Sequence, residues 1–329
     1  MNFRSLVGQE ILRHTLKRLL IDDRLSHAVL LTGPAGSGKQ SWGKALAAAL
    51  LCADPVQGEA CGKCVSCRQL ASGNHPEYYL IEPEGRNIKI EQIRSLRTGL
   101  HLLGGRKVCL IKHAEAMTAE ASSSLLKILE EPPEGLYFIL LAEQPRQLFE
   151  TILSRCQRYH LQPLSHDQIR GMLEKEKALS SEKAIMLARL SRGIPGRAFE
   201  LAEDEEFDRR REEAENLALN LLSEEGSAYQ LLSKAETMAE RDDLLPLLDL
   251  LCYSFRDVLV MNLCRDERFL IDPSRPSLQV GEASVKRFED IIRLINNTIY
   301  ELTATNVNRR LLLEKMFITI QRGLAQCRG

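Results

Sequence analysis

Short apolar runs and amphipathic stretches alternate through the first 160 residues: HAVLLT (27–32), WGKALAAALL (42–51), YYLI (78–81), IEQIRSLRTGLHLL (90–103), KVCLI (107–111), ASSSLLKILEE (121–131), LYFILLA (136–142) and RCQRYHL (155–161). The short continuous runs fit strands buried on both faces, and the 3.6-residue periodicity between them fits helices. Strand followed by helix, repeated, predicts an α/β domain built on a parallel sheet with helices on both faces. After Pro163 the β-branched runs stop, and helical periodicity takes over in HDQIRGMLEKEKAL (166–179) and EKAIMLARL (182–190). SRGIPG (191–196) and the charged stretch EDEEFDRRREEAE (203–215) punctuate this region. Further on, LLPLLDLLCYSFRDVLVMNLC (244–264) is apolar on most faces, as in a helix buried among others. The pattern divides the chain into an α/β domain at 1–163, a small helical domain at 164–204 and a larger helical bundle at 205–329.

Composition narrows the function classes. At 329 residues and 44% apolar content the chain can fill more than one core. A net charge of −1 means that any nucleic-acid contact comes from a local patch, and partner proteins are the larger surface business. No run approaches the ~18 apolar residues of a membrane span, and MNFRSLVGQE lacks a signal-peptide pattern, so the expectation is a cytoplasmic protein with no membrane contact. Nine cysteines in a reducing compartment point to metal ligation or buried thiols.

GPAGSGKQS (33–41) follows the first strand and runs into a helix expected to begin near Ser41. That context lifts G-x-x-x-x-G-K above a chance match. Gly33, Gly36 and Gly38 let backbone N–H groups curl around phosphate oxygens, Ser37 lies in the same cradle, and Lys39 reaches the terminal phosphates of ATP or ADP. The plainer alternative is a glycine-rich turn with a solvated lysine. Where a hydroxyl normally ligates Mg²⁺ the chain has Gln40, a longer and less fitting ligand. Ser41 points about 100° away along the helix. The carboxylates that hold metal and orient water normally follow a later strand, but KVCLI is followed by Lys112 and His113, and Glu115 lies three residues past Lys112. Phosphate cradling is expected to survive and metal-assisted hydrolysis to be lost, unless the register lets Glu115 substitute.

Cys52, Cys61, Cys64 and Cys67 form C-x8-C-x2-C-x2-C, with Gly58 and Gly62 placed for tight turns. Four thiolates suit one tetrahedral, structural Zn²⁺; unliganded thiols on an insertion are the alternative. Cys109, Cys156, Cys252, Cys264 and Cys327 sit in apolar or helical contexts, as inert packing residues do. His27 and His113 lack a nucleophile with an orienting carboxylate and read as structural.

VGQE (7–10), RLSHAVLLTGPAGSGKQS (24–41), the cysteine cluster, IKIEQIRSLR (88–97), KVCLIKHAEAMT (107–118), SSSLLKILEEPPEGLYFILL (122–141) and LSRCQRY (153–159) occur in an order that resembles bacterial clamp-loader AAA+ subunits of DNA polymerase III. The delta-prime branch, related to the gamma/tau motor subunits, is the nearest in pattern over about 200 residues. The resemblance implies an AAA+ domain with an inserted zinc module at 52–67, a helical lid at 164–204 and a helical collar at 205–329. It implies a hetero-pentameric ring with gamma/tau and delta that loads the sliding clamp on primer-template DNA. In this family the SRC motif supplies an arginine finger, here Arg155, to ATP on the neighbouring subunit. Arg197 matches a second nucleotide sensor, and Arg94 a position that contacts DNA phosphates, with Lys89 and Arg97 extending the patch. A solvated basic face paired with Glu91 is the alternative for Arg94. Ala142-Glu143-Gln144 stands where motor subunits carry a polar γ-phosphate sensor. The expected role is therefore a non-hydrolysing ring member; an ATP-hydrolysing gamma/tau-like motor and a zinc-dependent nucleic-acid-binding module are the other readings. The end of the sequence at 329, with no long tail, counts against the motor.

Overall fold

The computed structural model describes residues 2–100, 105–222, 228–272, 285–305 and 307–325. They separate into one unit of residues 1–171 with 191–198 and another of 172–190 with 199–329.

In the first unit, strands β1 (Ala28–Thr32), β2 (Tyr78–Ile81), β3 (Lys107–Ile111), β4 (Leu136–Ala142) and β5 (Gln157–His160) form one sheet in the order β2-β3-β4-β1-β5. Every neighbouring pair is parallel. Alternate residues face opposite cores: Leu30, Cys109, Ile111, Phe138 and Leu140 on one side, and Val29, Leu31, Val108, Leu110 and Ile139 on the other. Burial on both faces is why the strands read as continuous apolar runs. β5 is shorter than RCQRYHL suggests because Arg155 and Cys156 belong to the turn that precedes it.

Helices α1 (Glu10–Ile21), α2 (Lys39–Leu51), α3 (Val65–Ala71), α4 (Ile90–Leu100), α5 (Ala119–Glu130) and α6 (Glu150–Leu153) connect the strands. Leu12 and Leu16 of α1 and Trp42 and Leu46 of α2 fill one core, while Ile93 of α4 and Leu125 and Leu129 of α5 fill the other. Burial of each such side chain contributes roughly 1.5–3 kcal/mol. α2 approaches the sheet closely at Gly43, where a Cβ would lie 2.9 Å from Leu110 Cδ1. α5 is capped by Thr118, whose hydroxyl accepts the Ala121 N–H at 3.2 Å and satisfies an otherwise unpaired first-turn donor.

Beyond β5 come α7 (His166–Lys177), α8 (Ser181–Leu190), α9 (Pro195–Glu203), α10 (Phe207–Leu222), α11 (Ala228–Ala239), α12 (Leu244–Cys264), α13 (Val285–Ala304) and α14 (Arg309–Ala325). No strand occurs there among the described residues, as the loss of β-branched runs after Pro163 predicts. The second unit packs around Leu217, Leu247, Leu251, Phe255, Phe288, Ile295 and Phe317, all buried. Phe255 and Phe288 meet with ring centroids 6.5 Å apart. α12 fully buries one stripe (Leu244, Leu247, Leu248, Leu251, Phe255, Val258), and most of its remaining residues are half-buried. Among the described residues, no helix is long and apolar enough to cross a membrane.

Candidate nucleotide and metal sites

The glycine-rich segment forms the loop from β1 into α2. α2 begins at Lys39, two residues before Ser41, because Gly38 takes a left-handed conformation (φ 91°) and turns the chain directly into the helix. Gln40 and Ser41 are exposed on that first turn, while Lys39 is 8% exposed. The Lys39 ammonium donates to Gly33 O at 2.8 Å and Pro34 O at 2.7 Å, and lies 3.5 Å from Glu143 Oε1. Burial pulls its pKa below the usual lysine value, and the Glu143 carboxylate acts against that shift. Ser37 Oγ is buried with no protein partner. On the loop's outer side the Gly196 N–H donates to Gly36 O at 2.9 Å. A Cβ on Gly196 would fall 2.6 Å from Gly36 Cα, so both contact positions need glycine, and Arg197 follows directly beside the loop.

The sheet order sets what faces this loop. β3 and β4 lie side by side and β4 pairs with β1, with Thr32 opposite Ala142. The Gly33 N–H donates to Ala142 O at 3.3 Å, so the residue after β4, Glu143, enters the loop. Lys112, just past β3, pairs with Glu82, and the Lys112 and Lys44 ammonium groups lie 3.0 and 3.1 Å from one terminal atom of the Gln40 amide, which accepts from both when that atom is assigned as the oxygen. Two ammonium groups thus hold the side chain that stands in the usual metal-ligating position. At about 4 Å and an effective dielectric of about 20, like unit charges repel by about 4 kcal/mol, so the two ammonium groups work against a cation beside Gln40, with Glu82 offsetting part of the Lys112 charge.

Carboxylates are nevertheless present, displaced from the end of β3. His113, in a left-handed conformation, starts a short turn that carries Glu115 across to β4. Glu115 Oε1 accepts the Glu143 N–H at 3.0 Å, and its Oε2 is buried with no protein partner. Ligand atoms of His113, Glu115 and Glu143 lie within 4.8 Å of one another. Glu143 faces the loop through an interaction that spacing does not show. The available signal is an acidic residue closing an apolar strand at the carboxyl edge of a parallel sheet, where ligands of such folds bind.

Arg155 lies in the turn after α6, half-exposed. Its guanidinium donates to Glu130 Oε1 at 2.6 Å and to Thr151 O at 3.1 Å, and none of its described contacts is with the glycine-rich loop. Glu130 ends α5, within the LLKILEE segment. With side chains 35% and 46% exposed, such a pair contributes about 0–1 kcal/mol.

The four clustered cysteines converge. Cys52 ends α2, Cys64 caps α3, and all four Sγ atoms lie within 4.8 Å of one another. Cys52 Sγ is 3.9 Å from Cys64 Sγ and 3.6 Å from Cys67 Sγ. A tetrahedral ion with bonds of about 2.3 Å holds its sulfurs about 3.8 Å apart, so the donor set fits. Backbone N–H groups of Cys61, Cys64 and Cys67 point at the Cys52, Cys61 and Cys64 sulfurs at 3.3–3.4 Å, as they do toward thiolates. The Cys67 N–H brings the Cys64 thiol down to about 6, while burial pushes Cys67 up to about 12. Gly58 and Gly62 both have positive φ, and buried Glu59 ties the insertion to Arg4 and Lys17 at 3.0 Å each. Cys109, Cys156 and Cys252 are buried as expected of packing residues. Cys264 is exposed, because α12 projects its final residues from the core, and Cys327 lies outside the described residues.

Lys89 and Arg94 are exposed on or beside α4, and no ion pair among the described residues ties either to Glu91. The Arg97 side chain lies outside the described residues. His27 Nε2 contacts Leu129 O at 3.1 Å, a structural role.

A family model described as DNA polymerase III, delta subunit, matches residues 8–165. The chain is similar to DNA polymerase III subunit delta′ of Bacillus subtilis (strain 168), at 32% identity over 92% of this chain and 92% of that protein. It is 35% identical to the delta′ subunit of Pseudomonas aeruginosa, over 89% of this chain and 91% of that one. The tau subunit of B. subtilis is 34% identical over 53% of this chain and 31% of its own length.

Proposed function

Since the chain belongs to the family of DNA polymerase III delta′ subunits, we propose that it is a non-hydrolysing member of the clamp-loader ring. Residues 1–163 form its AAA+ domain, 164–204 the lid and 205–329 the collar that joins it to gamma/tau and delta. The assembly opens the sliding clamp and places it on primed DNA in the cytoplasm. The chain's part is to hold the ring and to present Arg155 to ATP bound on its neighbour.

The observation that carries the non-hydrolysing reading is the Lys112–Gln40–Lys44 contact. Ammonium groups occupy the surroundings where Mg²⁺ and its carboxylate belong, whereas Gly33, Gly36, Ser37, Gly38 and Lys39 keep the form of a phosphate cradle. Nucleotide is bound without being cleaved, with Arg197 beside it. A motor-like reading finds support in Glu115 and Glu143, but one oxygen of Glu115 is engaged by a backbone N–H and Glu143 neighbours Lys39. Turnover of ATP with Mg²⁺ by the purified chain decides between them. The expected rate is indistinguishable from background; brisk hydrolysis that disappears in Lys39→Ala rejects the proposal.

Cys52, Cys61, Cys64 and Cys67 would hold a Zn²⁺ that cross-links the insertion and takes no part in chemistry. Arg94 would meet DNA phosphates inside the ring, adding affinity without reading sequence.

A further inference from the structure

We propose that Glu143 is a built-in occupant of the terminal-phosphate position, so that the loop takes a nucleoside diphosphate in preference to a triphosphate. The inference rests on the reading that the loop still cradles phosphates, and it goes beyond that reading by naming the residue that selects among them.

Lysine in such a loop reaches for the last phosphates of the nucleotide. Here the Lys39 ammonium donates to two acceptors of its own, Gly33 O at 2.8 Å and Pro34 O at 2.7 Å, and has a third partner in the Glu143 carboxylate, an ion pair at 3.5 Å. Two of these are neutral carbonyls of the loop itself. The third carries the charge of a phosphate oxygen and approaches from β4, the strand beside the loop. The Glu143 backbone N–H donates to Glu115 Oε1 at 3.0 Å, which fixes where the Glu143 side chain leaves the main chain. Glu115 adds a second negative charge near Lys39 and acts as a positioning residue.

A diphosphate seated on the backbone N–H groups of the loop can meet Lys39 with its last phosphate while the Glu143 carboxylate stays where it is. A triphosphate brings one phosphate more, which must either displace the Glu143 carboxylate or sit beside it and Glu115. Like charges so close repel, and even with the Glu143 side chain 31% exposed an interaction of this kind is lost or gained in steps of roughly tenfold in affinity.

The test is direct binding of ADP and of ATP, each with Mg²⁺, to the full chain and to Glu143→Gln, with Glu143→Thr as a second, uncharged variant. Thermal melting checks that all three are folded. The expected result is tighter binding of ADP than of ATP by the native chain, and a shift of the ADP/ATP preference toward ATP by roughly tenfold or more in both variants. An unchanged preference, with both nucleotides still bound, overturns the role of Glu143 and leaves the phosphate cradle standing. Binding of neither nucleotide by the native chain, with both gained equally in the variants, overturns the diphosphate preference. Binding of neither by any of the three overturns the cradle as well.

Discussion

Arg155→Ala in a reassembled clamp loader is expected to cut clamp- and DNA-dependent ATP turnover at the neighbouring site by roughly 10³–10⁵-fold, while the ring still assembles. The size follows from what a guanidinium does when delivered to a phosphoryl group in its transition state: it neutralises charge that water would otherwise have to solvate. The structure lets Arg155 leave its resting place cheaply. Its partner Glu130 is half-exposed, and a pair of that kind is worth about 0–1 kcal/mol, far less than the several kcal/mol that such a rate effect represents. Arg155→Lys should recover little, since a point charge lacks the planar fork. Because the guanidinium makes its contacts with Glu130, Thr151 and Ser154 only among the described residues, its removal should leave the fold intact. The measurement is single-turnover hydrolysis in the assembled ring with clamp and primed DNA. Unaltered hydrolysis in the Arg155→Ala ring refutes the finger.

The second large effect concerns the cysteine cluster. The purified chain is expected to contain one zinc per molecule, and Cys64→Ser to lose it. Structural zinc sites bind with apparent free energies of about 10–16 kcal/mol in small peptides that fold only around the ion. Here the consequence is local. Cys52 packs with Ala48 and Ala60 in a small cluster of its own, apart from the two cores that sandwich the sheet. Metal removal should therefore open residues 53–66 to proteases and lower the melting temperature by several degrees, without unfolding the sheet. Elemental analysis and limited proteolysis, before and after chelation, are the measurements. A metal-free chain that melts at the same temperature and resists cleavage with or without chelator counts against the zinc.

The sequence makes some of this legible and hides the rest for a physical reason. Strand β1, its glycine-rich loop and α2 are contiguous, so apolar periodicity and turn chemistry over residues 27–51 reveal them. The cysteines are likewise local, spaced so that short turns bring the sulfurs together. Contacts across the sheet are different. That Lys112 meets Gln40 and that Glu143 meets Lys39 depends on β3, β4 and β1 being neighbours in that order, and the length and pattern of the strands do not encode their order. The absence of a carboxylate at the end of β3 is readable from KVCLIKH; the arrival of Glu115 and Glu143 from other elements is not. Glu130 escapes notice for the same reason, since it meets Arg155 only because α5 and the turn after α6 end side by side.

The distribution of thiols has a practical use. Cys109 is buried with its pKa raised, Cys156 is pushed up to about 11 by burial, and Cys252 is also buried, so none of these three reacts readily with an aqueous thiol reagent. Cys264 stands in solvent at the end of α12. Among the described residues, alkylation at neutral pH is therefore directed to Cys264 when zinc fills the cluster as proposed. Chelation would then add Cys61 and Cys64, whose thiols the backbone N–H groups around them hold below the usual value, ahead of Cys52 and Cys67, which burial pushes up. Mass mapping of alkylated peptides thereby becomes a gauge of metal content in a mixed population, and Cys264 a ready attachment point for a fluorophore.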